Sequence, residues 1–392
     1  MKNQLKIAIY SGVSKSTTFI ERLIDGIANQ KIEVLIFGKN TGKPNPSKYI
    51  KYHTYGNKIN KSLRLFKYTI LLSLFNRSDK KKLDRFIASN RGSRFMLQLK
   101  YYPVLYYKPD IFHLQWVKSL ADWIWVQDFG MKLIVSLRGT HITISPKADS
   151  VLDEQYLKLF PQVNLFHAVS QSIAKETIKY GVSESKIKVV KSGLPLEALK
   201  YVPKDSVNKH LNIVSIGRPH FAKGYQYALD AMFLLKKKNL NFHYTIIGIE
   251  TDEPLLFQQK KLELEQHVTF VKPLEFEAVI EKLKTADVLL LPSIEEGIAN
   301  VVLEAMALGT LVISTDCGGM NEVVDHAESG FLIPVRDVDA MADRIFEVSE
   351  MTLDRYHVMT KKARIKIEEN HSEKYMISSF LNIYRDIVKG II

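Results

Sequence analysis

Cysteine is almost absent from this chain of 392 residues: Cys317 stands alone, so no intramolecular disulfide can form. That usage suits a reducing compartment. Long apolar runs are missing as well. The start, MKNQLKIAIYSG, is too short and wrongly flanked for a secretory leader. The run YTILLSLF at 68–75 falls far below the ~20 apolar residues a membrane span needs. These absences set the expectation of a cytoplasmic, non-spanning protein. Neither G-x4-G-K-[ST] nor G-x-G-x-x-G occurs, which excludes a Walker loop and argues against a nicotinamide cofactor. No His/Cys cluster suggests zinc, so neither a metal nor a cofactor is expected.

Acidic residues are scarce in one place. The chain carries 55 Lys+Arg against 42 Asp+Glu, a formal charge of +13. Residues 57–100 hold twelve Lys/Arg and only Asp79 and Asp84, which concentrates +10 there. Such asymmetry points to an anionic partner on one face. Within the segment Leu63, Phe66, Ile70 and Leu74 recur at helical spacing among Lys61, Arg64 and Lys67, and Lys80, Lys81 and Lys82 follow. Two readings stand: a helix lying on an anionic membrane surface, or the buried face of an ordinary helix with its cations in solvent. Otherwise 46% hydrophobic and 25% charged residues are ordinary globular composition, with length for two domains.

Short apolar runs alternate with helical segments. LKIAIY (5–10), IEVLIFG (32–38), DIFHLQW (110–116), KLIVSL (132–137), NLFHAVS (164–170) and KIKVVKS (186–192) read as strands covered on both faces. SQSIAKETIKYG (170–181) reads as a helix with a Ser cap and a terminal Gly181. After the proline-bearing, polar stretch 193–212 a second series follows: LNIVSIG (211–217), FHYTIIG (242–248), HVTFV (267–271), DVLLLP (287–292), TLVIST (310–315) and GFLIP (330–334). Repeated βα units imply a parallel sheet in each half. The expected division is a first domain over 1–200, a second over 201–371, and a terminal helix over 372–392 packing back towards the first. That helix would present Tyr375, Ile377, Phe380, Ile383, Tyr384 and Ile387 on one face. Thr18 and Glu21 read as a capping box.

Three stretches carry chemistry. SIGRPHFAKG (215–224) follows a strand and precedes a helix. Gly217 allows a turn, and Arg218 and Lys223 suit phosphate oxygens near a helix N-terminus. Taken alone it is also a loop with two solvated cations. In SIEEGIANVVLEAMALGTLVIST (293–315) Glu304 sits in an otherwise apolar helix. A buried carboxylate needs a partner, either structural or a ligand. Glu296, at the turn before that helix, and Glu304, two turns in, can both reach a ligand over its N-terminus. Carboxylates accept well from the paired hydroxyls of a ribose or a hexose. In RDVDA (336–340) the D-x-D string opens a helix, and an N-cap accounts for it better than a metal site.

PSIEEGIANVVLEAMALGTLVISTDCGGMNEVV (292–324) resembles the donor-site signature of the retaining glycosyltransferases of family four, through its paired glutamates, its LEAMA-x-G helix and its GG-x-x-E. GRPHFAKG is similar to that family's diphosphate-binding Arg and Lys, and 167–195 to the end of its first domain. The resemblance implies a GT-B fold, with two Rossmann-like parallel-sheet domains facing a cleft and a C-terminal helix. It implies a retaining hexosyltransferase-type enzyme that takes a nucleotide-sugar as substrate, works on a glycan or lipid-linked acceptor in cell-surface polysaccharide or glycolipid synthesis, and needs no metal. Arg218, Lys223 and Glu296 would be catalytic. Gly12, Arg138, Gly217, Gly297, Ile298, Ala299, Asn300, Val301 and Glu304 would bind the donor, and His113, Trp116 and His141 the acceptor. For His113 and Trp116, core packing is an equal reading, and His141 also reads as a packing histidine. Glu296-Gly297-Ile298-Ala299 stands where the family commonly has Glu-Gly-Phe-Gly, and in SLRGTH (136–141) Arg138 and His141 occupy the places of a His and an Asp. The enzyme would be cytoplasmic, with the inner membrane face as a peripheral station. The rival readings are another GT-B enzyme, an epimerase or a phosphorylase, and a basic protein that binds anionic polymers. No nucleic-acid motif is present, so nucleic acid is not an expected partner.

Overall fold

Apolar β-branched runs that need cover on both faces form parallel sheets, and the computed structural model contains two. It describes residues 5–42, 46–90, 92–206 and 210–391. The first residues of the N-terminal run, Arg91 of the basic segment, 207–209 of the expected linker and the final Ile392 lie outside the described residues. Unit 1 comprises Met1–Ala168, Ala174–Val190 and Ile377–Ile392; unit 2 comprises Val169–Ile173 and Lys191–Met376.

Unit 1 holds β1 (Lys6–Tyr10), β2 (Gly12–Val13), β3 (Glu33–Lys39), β4 (Ile50–Tyr55), β5 (Ile111–Leu114), β6 (Lys132–Leu137), β7 (Leu165–Ala168) and β8 (Ile187–Val189). Their order is β2-β3-β1-β5-β6-β7-β8, with β4 beside β3, and every pairing is parallel. The six strands expected in this half are present. β4 is half-buried in its middle and so carries no apolar run that would mark it as a strand in the sequence. Helices α1 (Thr18–Asn29), α2 (Lys58–Phe75), α3 (Arg77–Ser89) and α4 (Arg94–Tyr107) follow the first strands. The capping box at Thr18 does not form. Thr17 is the N-cap without a side-chain bond, and Glu21 accepts instead from the Ser16 amide at 2.7 Å.

A buried polar chain crosses this sheet. His167 Nε2 must donate to the Val190 carbonyl at 3.0 Å, so its Nδ1 accepts from Ser136 Oγ at 2.8 Å. Ser136 then accepts from His113 Nε2 at 2.8 Å, which leaves His113 Nδ1 to accept from Tyr384 Oη at 2.7 Å. One carbonyl thus fixes both tautomers. Tyr384 lies on the terminal helix Glu373–Lys389, whose buried residues include Ile377, Phe380, Ile383 and Ile387. Tyr375, expected on that face, is 57% exposed.

Unit 2 holds β9 (Leu211–Ile216), β10 (Phe242–Ile247), β11 (Val268–Val271), β12 (Val288–Leu291), β13 (Leu311–Thr315) and β14 (Phe331–Ile333), ordered β11-β10-β9-β12-β13-β14 and all parallel. Core side chains pack on both faces, Tyr225, Met232 and Tyr244 in one layer and Leu289, Val302 and Met306 in another. The fully buried Asp287 at the foot of β12 meets Lys204 Nζ at 3.1 Å and the Asn212 amide at 2.8 Å, tying the segment before the sheet to two strands.

Candidate functional site

The chain leaves β9 for β10 on one side and later places β12 on the other. The strand order therefore reverses between β9 and β12. A crevice is left outside the carboxyl ends of two such strands, and in open α/β sheets that is where ligands bind.

Two glycines draw three loops together there. Gly224 has φ +67°, and a Cβ on it would lie 2.0 Å from the Pro292 carbonyl oxygen. The loop after β9 consequently seats against the end of β12, and the Ile294 amide donates to Ala222 O at 2.7 Å. Gly318, after β13, has φ +55°, and a Cβ there would lie 1.6 Å from Glu296 O. Gly319 N donates to Gly297 O at 3.1 Å. Glu296 is held from two directions: its Oε1 accepts from Lys223 Nζ at 2.6 Å and from Ser293 Oγ at 2.9 Å.

The expected donor residues that belong to unit 2 line the same edge, while Gly12 and Arg138 lie in unit 1. Arg218 is exposed, and Gly217 lies against the Lys223 side chain. Ile298, Asn300 and Val301 are half-buried and Ala299 is buried at the start of the helix Asn300–Leu308, whose N-cap makes no side-chain hydrogen bond. Its first amides are free of a side-chain cap, which suits an anion. Glu304 is buried at 9% exposure and takes part in a polar or electrostatic interaction within the chain. His220 escaped notice in the sequence. Its ring accepts from the Ala222 amide at 3.2 Å, and desolvation first, then Arg218 and Lys223, push its pKa down. The neighbouring Cys317 thiol is pushed up to about 12, by burial first and then by Glu296 and Glu295. That keeps it protonated and a poor nucleophile. Glu322 of GG-x-x-E accepts from the amides of Gln171 and Ser172 at 3.0 and 2.9 Å, and Asp337 of RDVDA caps the helix Val338–Ser349 through the Ala340 amide at 2.9 Å.

Unit 1 reverses its strand order between β1 and β5. At that carboxyl edge Gly12 has φ +88° and Gln115 N donates to Tyr10 O at 2.9 Å. Arg138, at the end of β6, sends one arm to Gln115 O and the other to Gln115 Oε1, both at 2.9 Å. Its guanidinium lies over Phe19 at 4.5 Å and Trp116 at 5.9 Å. Desolvation pulls its pKa down to about 9. The fork is met by the main-chain and side-chain carbonyl oxygens of Gln115 rather than by a carboxylate. His141 stands edge-on to Trp116 at 5.6 Å. Phe19 and Gln115, unremarked in the sequence, complete this cluster. His113 is absent from it. It is fully buried in β5 with both ring nitrogens bonded, so it has no group left for an acceptor.

The profile of the Glycosyl transferases group 1 matches residues 202–366, and that of Glycosyltransferase Family 4 matches residues 16–198. WcaL of Escherichia coli (strain K12), a protein named for colanic acid biosynthesis, is 32% identical over 229 residues, covering 56% of this chain and 56% of its own. The amylovoran biosynthesis glycosyltransferase AmsK of Erwinia amylovora is 30% identical over 254 residues, covering 61% of this chain and 62% of its own. The chain thus spans little more than half the length of these curated relatives. Anabaena Alr3699/HepE, solved in complex with UDP and glucose, superposes with a TM-score of 0.74 at 17% identity over 97% of this chain and 100% of that one. That likeness shows a shared fold, GT-B.

Proposed function

As the chain belongs to glycosyltransferase family four, we propose that it moves a sugar from a nucleotide-sugar donor to a glycan or lipid-linked acceptor in polysaccharide synthesis. The observation that carries this reading is the meeting of Lys223 and Glu296 at the strand reversal of unit 2, beside an N-terminus without a side-chain cap. Lys223 and the exposed Arg218 are the cations for the diphosphate. As the bond to the sugar breaks, negative charge develops on that leaving group. Fixed positive groups then stabilise the transition state more than the ground state. Glu296 positions the donor sugar, with Ser293 and Lys223 fixing its carboxylate. Glu304 accepts from the ribose hydroxyls. Trp116 and His141 with Phe19 offer an aromatic edge to an acceptor sugar.

A hexosyl donor and retention of configuration belong to the same reading, as does an acceptor met at an anionic membrane surface on the cytoplasmic side. The names of WcaL and AmsK support a polysaccharide product, and the UDP and glucose bound by Alr3699/HepE support a nucleoside-diphosphate sugar. The test is a thermal-shift screen of sugar nucleotides followed by turnover of Arg218→Ala and Lys223→Ala. A ligand at a hundredfold excess over Kd stabilises by about 2.7 kcal/mol. Each variant should lose roughly ten- to a thousandfold in turnover. Near-normal activity in both would sink the assignment, and isomerisation of the donor without acceptor would favour an epimerase.

A further inference from the structure

Helix α2 turns its apolar stripe away from the protein. Ile59, Leu63, Phe66, Ile70 and Leu74 recur every three or four residues and so share one side. Each is between 41% and 73% exposed. The opposite side carries the buried Tyr68 and Leu72, and Arg64 anchors the helix by donating to the carbonyls of His53 and Thr54. The stripe is thus not the inward face of an ordinary helix. Single exposed apolar residues are common, but a continuous ridge marks an interaction surface.

Exposed cations are carried by the same helix and by the one that follows it. Lys58 and Lys67 on α2 and Arg77, Lys81 and Arg85 on α3 are exposed. Both acids of the segment are engaged: Asp84 by Lys80 at 2.7 Å and Tyr102 at 2.6 Å, and Asp79 by Lys108 at 3.3 Å. Among the described residues no helix is long and apolar enough to cross a membrane, so contact with lipid would be made from the side.

We propose that the α2 ridge, with the cations of α2 and α3, docks this protein on an anionic lipid bilayer. Apolar side chains would enter the headgroup boundary while the cations meet anionic headgroups. Charge selects this occupant over a second copy, because self-association through α2 would set one basic segment against another. The inference rests on, and deepens, the reading of a lipid-linked acceptor: it names the element that brings the enzyme to the surface bearing that acceptor.

The experiment is co-sedimentation of the full chain, without sugar nucleotide, with vesicles of pure phosphatidylcholine or of phosphatidylcholine mixed with phosphatidylglycerol. The bound fraction should rise with phosphatidylglycerol and fall with salt as charges are screened. The combined variant Leu63→Ser, Phe66→Ser, Ile70→Ser and Leu74→Ser alters exposed positions only. It should keep the wild-type melting temperature and sugar-nucleotide binding while losing at least tenfold in vesicle affinity. Lys81→Glu with Arg85→Glu should abolish the preference for anionic vesicles. Absence of binding at low salt, or full binding by the serine variant, overturns the proposal. So does a dimer that the serine variant dissociates without change in vesicle affinity, which assigns the ridge to a second copy. Vesicle binding by a chain that takes up no sugar nucleotide supports the docking and overturns the transfer reading, so the two failures are distinct.

Discussion

Glu296 accepts two donors on one oxygen, and the pair it makes with Lys223 is only partly buried, at 22% and 15% exposure. Such a pair contributes about 1 kcal/mol or less to folding. Glu296→Gln should therefore leave the melting curve nearly unchanged and lower turnover roughly ten- to a thousandfold, measured with a saturating donor. Glu304 is different because it is buried. Glu304→Gln keeps shape and part of the hydrogen bonding. With a ribose role, donor binding weakens while the empty protein keeps its melting temperature. Loss of several kcal/mol by the empty protein would instead show that the carboxylate serves a buried pair. In the sequence Glu304 stands out because a carboxylate in an apolar helix contradicts its surroundings, and Glu296 because it occupies the turn just before that helix. Sequence spacing could not identify Gln115 or Phe19, whose role comes only from where β5 and α1 set them against Arg138.

Elements were the most legible scale. All twelve expected strands form, because parallel strands covered on both faces are apolar throughout. The half-exposed β4 has no such signature. Direction was harder to read than type: α2 and the terminal helix both show apolar residues at helical spacing, yet α2 exposes its stripe and the terminal helix buries most of its own. His113 follows the same logic, for alternation places it in a strand without saying that Tyr384 and Ser136 will close over it. Two substitutions test how elements are fitted together. Gly224→Ala would put a methyl 2.0 Å from Pro292 O at a left-handed position, so the loop after β9 must move. Donor affinity should fall more than stability, a split read by calorimetry and melting on the same sample. Tyr384→Phe deletes the donor to His113 Nδ1 and leaves a buried acceptor unpaired. It should lower the stability of unit 1 by about 1–3 kcal/mol, read by urea denaturation.

For the whole molecule, acid is the telling perturbation. Burial holds His113 well below its ordinary pKa, His167 at about 3 and His371 at about 4. The unfolded chain binds these protons near pH 6.5, the folded chain far lower, so protons favour unfolding. This contribution to stability is full above about pH 7 and falls as the pH drops towards 4. By pH 5 His167 and His371 should each cost on the order of 2 kcal/mol, with His113 acting in the same direction, seen as a lower urea midpoint than at pH 7.5. The three-piece construction of unit 1 also has a consequence for synthesis. A nascent chain emerges from its N-terminus and its domains fold as they appear. Unit 2 has all its residues once Met376 is out, but unit 1 then still lacks Ile377–Ile392, including the Tyr384 that closes the chain from Val190 to His113. A chain released after residue 376 should display a protease-resistant unit 2 beside a readily cut unit 1. The half that begins to be made first would be the last to finish folding.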